Sequence, residues 1–190
     1  MQVMPMNLIH RKLCRSDTWV TNVRETLMPW TLEGIDLGDD VLEIGPGFGA
    51  TTRVLIDKVP NLTAVEVDPA SVRLLTEQFP SVNVIEGDGA KLPLPDNNFS
   101  AVTCFTMLHH VPSPAEQDRL FAETFRVLKP QGLFVGLDSR PNLRFRFIHL
   151  FDTMIVVDPD TLPRRLEAVG FRDIDITKTE TRFRFRARKP

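Results

Sequence analysis

The chain has 190 residues, 42% of them hydrophobic, a length within the size of one domain and sufficient to bury one sizeable core. Its 23 Lys and Arg against 25 Asp and Glu give a formal net charge of −2, which excludes an overall basic field of the kind that draws nucleic acid or anionic membrane. Only Cys14 and Cys104 occur, without the paired spacing of a zinc site or a disulfide framework, so a reducing, cytoplasmic setting and no metal are expected.

Met1 to Arg15 shows no apolar run followed by a small-residue cleavage site, so no secretory signal is expected. Ser16 and Asp17 can cap a helix in which Trp19, Val23, Leu27 and Trp30 recur at helical spacing. Residues 1–38 therefore read as an amphipathic segment that packs on the main fold or over a pocket. From Asp40 onward, short apolar runs alternate with helical ones. VLEIG precedes TTRVLIDKV, LTAVEV precedes ASVRLLTEQF, VNVIEG follows, FSAVTCF precedes PAEQDRLFAETFRVL, and LFVGLD closes the series. This rhythm predicts a parallel sheet covered by helices on both faces.

Pro and Asn clusters mark a loop at Lys91 to Asn98. Ser113, Pro114 and Glu116 form a capping box with Pro in the first turn, and Lys129-Pro130-Gln131-Gly132 reads as a turn closing that helix. Phe147 to Val157 is about half the length that spans a bilayer and carries His149 and Asp152, so no transmembrane helix is expected. Asp160 or Thr161 opens a helix through LPRRLEAV that Gly170 can end, and Phe171 to Lys189 reads as two strands paired in a hairpin. On its second strand Phe183 and Phe185 should face inward and Arg182, Arg184 and Arg186 outward. No linker divides the chain, so residues 1–190 read as one domain.

In VLEIGPGFGATT a strand runs into Gly45, Gly47 and Gly49 and then a helix, which lets backbone amides approach a ligand with no side chain in the way. Gly45, Gly47 and Ala50 also satisfy the looser dinucleotide fingerprint, and Glu66 lies about twenty residues on, where a ribose-binding acid is expected. Two cofactor classes fit this much. Hydride transfer loses ground because the chain has no Tyr and cannot carry the Tyr and Lys pair of small dehydrogenases. Another dehydrogenase class would need a second domain.

The wider order of motifs resembles the class I methyltransferases. VLEIGPGFG is similar to their acidic residue and alternating glycines, AVEVDP to the second-strand end, IEGDGAKLPLPDNNFSAV to the third strand, loop and fourth strand, and RVLKPQGLFV to the turn into the fifth. The likeness runs from Asp39 to Asp138 and more weakly through Gly170 and Phe171. It implies an α/β, Rossmann-like, doubly wound and mostly parallel seven-stranded sheet with helices on both faces and a C-terminal antiparallel hairpin. It implies S-adenosylmethionine as cofactor, with Gly45, Gly47 and Gly49 along its methionine and ribose part. Glu66 would accept from both ribose hydroxyls and Asp88 from the adenine amino group. Val67, Gly89 and Phe105 would lie beside the cofactor, and Glu43 would help hold its ammonium end.

EIGPG, AVEVD and IEGD are also close to phrases of the ribosomal RNA adenine dimethylases. Those enzymes end the fourth strand on an Asn-Pro-Pro-aromatic type of motif, whereas this chain reads CFTMLHHV. That ending resembles the branch acting mostly on small molecules and lipids and argues against nucleic acid. Because the methyl donor brings its own leaving group, proximity and alignment carry much of the catalysis. If the acceptor is a hydroxyl or protonated amine, His109 or His110 at the pocket mouth is the candidate base, with His10 and His149 behind them. Acceptor recognition falls to the N-terminal stretch and to an insertion over residues 140–157, whose Phe145, Phe147 and Phe151 could face an apolar acceptor, with His109 beside it. A cofactor-binding protein without turnover and an RNA methyltransferase stay open as alternatives. A pocket joining the methyl position to the surface near His109 would favour the enzyme.

Overall fold

The alternation of apolar runs becomes one seven-stranded sheet in a computed structural model of the chain, which describes residues 7–142, 147 and 153–190. The strands are β1 (Asp40–Ile44), β2 (Asn61–Glu66), β3 (Asn83–Glu86), β4 (Phe99–Phe105), β5 (Leu128–Ser139), β6 (Arg172–Lys178) and β7 (Arg182–Arg188). Their order is β3-β2-β1-β4-β5-β7-β6. The first five run parallel, and β7 pairs antiparallel with both β5 and β6. The expected fold class, hairpin included, is the observed one. Strand order reverses at β1, which lies between β2 and β4, and the carboxyl ends of strands at such a switch point form a crevice.

Side chains of successive strand residues go to opposite faces, and the sheet accordingly divides two apolar cores. On one face Leu42, Ile44, Val102, Phe134, Phe183 and Phe185 pack with α6 (Pro114–Val127) and α7 (Leu162–Val169). On the other, Val41, Ala64, Ala101 and Val135 meet Leu55 of α4 (Thr52–Leu55) and Leu75 of α5 (Pro69–Gln78). Val23, Leu27 and Met28 of the N-terminal segment fill the same layer.

Ser113 starts α6 as its N-cap, its hydroxyl accepting from the Glu116 amide at 3.1 Å. The reciprocal half of the expected box is absent among the described contacts, because Glu116 instead pairs with Arg119. The expected turn at Lys129–Gly132 is corrected: β5 begins directly at Leu128 and passes through these residues, with Gln131 at φ 67° and a bulge between Phe99 and Ala101. Pro130 has no amide to pair, and the Gln131 amide is satisfied by the Lys189 carbonyl at 2.9 Å. The helix expected in TTRVLIDKV is a single turn. The N-terminal segment contains α1 (Leu8–Cys14), α2 (Asp17–Asn22), a π-helical turn over Val23–Leu27 and α3 (Met28–Thr31).

Phe183 and Phe185 are buried, as the alternation predicts. Not every cation of β7 faces solvent, however. Arg184 lies over the Trp30 ring, 5.2 Å from its centroid, and donates to the Trp30 carbonyl and to Glu33. That cation–π contact fastens the N-terminal segment to the hairpin. Among the described residues no helix is long and apolar enough to cross a membrane.

Candidate functional site

A cleft of about 1210 Å³ opens at the carboxyl ends of β1, β2 and β4. Its floor is the loop after β1, in which Gly45, Gly47 and Gly49 have φ of 68°, 57° and 79°, conformations that favour glycine. The three glycines do different work. A Cβ on Gly47 would meet nothing within 4 Å, so it would project into open space at the cleft. A Cβ on Gly49 would run into the Phe79 ring and come within 3.0 Å of Leu75, so this glycine admits close packing of the loop on α5. Gly45 lines the cleft against Met107, whereas Gly49 is not on its wall.

Glu66 ends β2 buried at the cleft wall, and its two oxygens accept from the Gly47 amide at 2.9 Å and the Asp68 amide at 3.0 Å. Burial raises its pKa, opposed by the amides of Asp68, Gly47 and Val67. The carboxylate keeps acceptor capacity beyond these amides for a hydroxyl donor. Val67, Asp88, Gly89 and Phe105 lie along the same wall. Asp88 is exposed, with one oxygen accepting from the Ala90 amide at 2.8 Å.

Glu43 sits elsewhere. It is 1% exposed and absent from the cleft wall. The Thr51 hydroxyl donates to one of its oxygens, and the Thr52 hydroxyl to the other at 2.6 Å. Burial pushes its carboxyl up to about 7 against the pull of those hydroxyls, and Glu66 adds to the rise. Glu43 thus grips the far side of the glycine loop, and through Thr51 reaches the cleft indirectly.

At the opposite end of the cleft stand His109 and His110, on a 3₁₀ turn (Leu108–His110) that follows β4. Gln117 holds that turn by donating to the carbonyls of Leu108 at 3.1 Å and Ile155 at 2.8 Å, and the Ile155 amide donates to the His109 carbonyl. The His109 ring packs 4.2 Å from His110, which stacks at 5.2 Å on His10 of α1. Asp138, at the end of β5, meets His109 Nδ1 at 2.6 Å. Sequence reasoning missed Asp138. Its only signal is an acid at the end of LFVGLD, next to the strand that carries the histidines.

The N-terminal segment covers one side of the cleft with His10, Arg11, Cys14 and Trp19, and Asn142, Thr153 and Arg182 close the other. Of the aromatics expected in an acceptor lid, Phe147 is 67% exposed and off the cleft wall. Phe145 and Phe151 lie outside the described residues. Single-ligand pockets run to about 300–1,000 Å³, so this cleft has room for a cofactor and an acceptor together. Gly47, open to it, and Glu66, with acceptor capacity to spare, fit a ligand that bears a ribose.

A family model described as a methyltransferase domain matches residues 42–136, half of the chain. Among solved structures, a SAM dependent methyltransferase from Archaeoglobus fulgidus superposes with a TM-score of 0.76 at 19% identity, over 96% of this chain and 98% of that one. An N-methyltransferase from Haemonchus contortus, in complex with phosphomonomethylethanolamine and S-adenosylhomocysteine, gives 0.71 at 15% identity, over 96% and 57%. A curated relative, the ribosomal RNA small subunit methyltransferase A of Chlorobium chlorochromatii, is 55% identical over 38 residues, which are 20% of this chain and 14% of that protein. The chain belongs to the methyltransferase domain family, whose model spans the glycine loop and the first five strands.

Proposed function

We propose that the protein transfers the methyl group of S-adenosylmethionine to a small-molecule or lipid-like acceptor held at the His109 end of the cleft. The observation that carries this reading is the continuity of the cleft, which joins Glu66 and Asp88 at one end to His109 and Thr153 at the other. A binding protein without turnover has no need of that passage. When bound, the cofactor supplies a methyl group on a positively charged sulfur that leaves with the bonding electron pair. Gly45 and Gly47 give its methionine and ribose part close backbone contact. Glu66 accepts from the ribose hydroxyls, and Asp88 from the adenine amino group beside Val67, Gly89 and Phe105. Gly49 and Glu43 act at one remove, by setting the loop. His109 and His110 flank the acceptor, and alignment in the enclosed cleft provides most of the rate. The two cysteines, not joined to each other, suit a reducing cytoplasm.

RNA as acceptor is a second reading, favoured by the short match to ribosomal RNA methyltransferases. One experiment separates the two: incubate the protein with methyl-labelled S-adenosylmethionine and either total RNA or a cell extract stripped of macromolecules. Label carried into the low-molecular-mass fraction supports the proposal, and label carried into RNA alone refutes it.

A further inference from the structure

The geometry points to Glu123 and Arg126 of α6 as positioning residues for the cofactor's base: together they fix the loop between β3 and β4 that carries Asp88, and so set the preference for a purine bearing an amino group. This inference rests on the methyltransferase reading, in which Asp88 accepts from the adenine amino group, and extends it to two residues off the cleft wall.

The loop leaves β3 at Gly87 and rejoins the sheet at Phe99. Gly87, Asp88, Gly89 and Ala90 line the cleft. Backbone hydrogen bonds tie both ends. The Gly87 amide donates to the Glu66 carbonyl at 3.0 Å, and the Asn97 and Asn98 amides donate to the carbonyls of Arg126 and Val127 at 3.0 and 2.7 Å. Between these ends, side chains of α6 stand in for a neighbouring strand. Arg126 Nε donates to Glu123 Oε1 at 2.9 Å, Nη1 to the Leu94 carbonyl at 2.8 Å and to Asp96 at 2.7 Å, and Nη2 to Glu123 Oε2 at 2.7 Å and the Leu92 carbonyl at 3.1 Å. Every N–H of the guanidinium is thereby used. Glu123 Oε2 also accepts from the Leu92 amide at 2.8 Å. The pair therefore holds both backbone groups of Leu92, whose side chain is buried in the core.

An exposed ion pair contributes little, but Glu123 and Arg126 are half-buried and meet as a two-point fork. The Arg126 guanidinium holds the Glu123 carboxyl below the usual carboxylate range, so the pair stays ionised at neutral pH. One rigid plane then sets Leu92, Leu94 and Asp96 together. The turn at Asp88, just before Leu92, moves with them. Asp88 and Lys91 form a β-bridge, and the Ala90 amide donates to the Asp88 carboxylate at 2.8 Å. A Cβ on Gly89 would come within 2.7 Å of Ile44 and 3.0 Å of Leu120, so the backbone of the turn lies directly on β1 and α6. Packing seats this turn on one side and the fork holds it on the other. A displacement of Leu92 reaches Asp88, whose hydrogen bond to a bound base is lost within a small shift in distance or angle.

Calorimetry on the full-length protein, with S-adenosylhomocysteine and with its counterpart carrying hydrogen in place of the adenine amino group, tests the inference. Wild type should prefer the amino-bearing ligand by at least about 10-fold, as one hydrogen bond to a charged acceptor provides. Arg126→Lys keeps the charge but cannot reproduce the planar fork. It should lower the preference to about 2-fold, while affinity for the amino-free ligand changes little. Glu123→Gln breaks the fork from the other side, should give the same result, and carries the test should the lysine variant not fold. In Asp88→Ala, which has no acceptor to position, Arg126→Lys should not alter the preference further. The proposal is overturned by a folded variant that keeps the wild-type preference, by equal loss of affinity for both ligands, by a further fall in the Asp88→Ala background, or by a wild type that binds both ligands alike. Absence of S-adenosylhomocysteine binding to the wild type removes the methyltransferase reading itself.

Discussion

Replacing Glu43 with Gln tests how the glycine loop is held. Gln is nearly isosteric and can accept from one threonine hydroxyl while donating to the other, so the contacts of Thr51 and Thr52 survive in altered form. What disappears is the titration. In the folded protein the Glu43 carboxyl is pushed up to about 7 from an ordinary value of 4.5. Between those values the folded state keeps a proton that the unfolded chain has released. Its stabilising contribution is complete below the unfolded value and is lost as pH rises through the folded one. At about 1.4 kcal/mol per unit, stability should fall by about 2–3 kcal/mol between roughly pH 5 and pH 8. The residue is fully buried, so solvent screening does not reduce the figure much. Urea unfolding of wild type and Glu43→Gln at both pH values isolates the contribution of this carboxyl, because all other titrations are common to the two proteins. The variant should lack this decline and gain on the wild type as pH rises. Parallel pH profiles, within about 0.5 kcal/mol, would refute the reasoning.

Two further substitutions separate packing from binding in the same loop. Gly49→Ala forces a side chain against Phe79 and Leu75 at φ 79° and should cost about 2–4 kcal/mol in urea unfolding. Gly47→Ala meets no atom within 4 Å and should cost only about 1 kcal/mol of backbone strain while weakening S-adenosylhomocysteine binding. Equal effects on stability would undo the distinction. Glu66→Ala removes the proposed acceptor for the ribose hydroxyls, at about 1.5 kcal/mol each, and should weaken the same ligand by about 100-fold in calorimetry. Unchanged affinity would take Glu66 out of the cofactor wall.

What the sequence disclosed was whatever physics writes locally. Apolar alternation marks β1 to β5, the Ser113 cap marks α6, and the two alternating runs after Gly170 mark the hairpin. The glycine loop and Glu66 were legible because their spacing is itself the signal. Contacts between distant segments were not. Asp138 stands 29 residues from His109, and only the pairing of β4 with β5 brings them together. Arg184 and Trp30 are 154 residues apart, so alternation alone assigned that arginine to solvent. Gly45, Gly47 and Gly49 look alike in sequence, and only α5 packed beneath the loop distinguishes the structural Gly49 from Gly47 at the open cleft. Glu43 read as a ligand contact because it precedes the glycines, yet the last residues of a buried strand alternate between faces, and its side chain points to the threonines behind the loop.

Calorimetric titration of the wild-type protein with S-adenosylhomocysteine, beside NAD, tests the central claim most directly. The cleft built on Gly47 and Glu66 predicts micromolar binding of S-adenosylhomocysteine and none of NAD. Absence of S-adenosylhomocysteine binding, or equal binding of NAD, would contradict it.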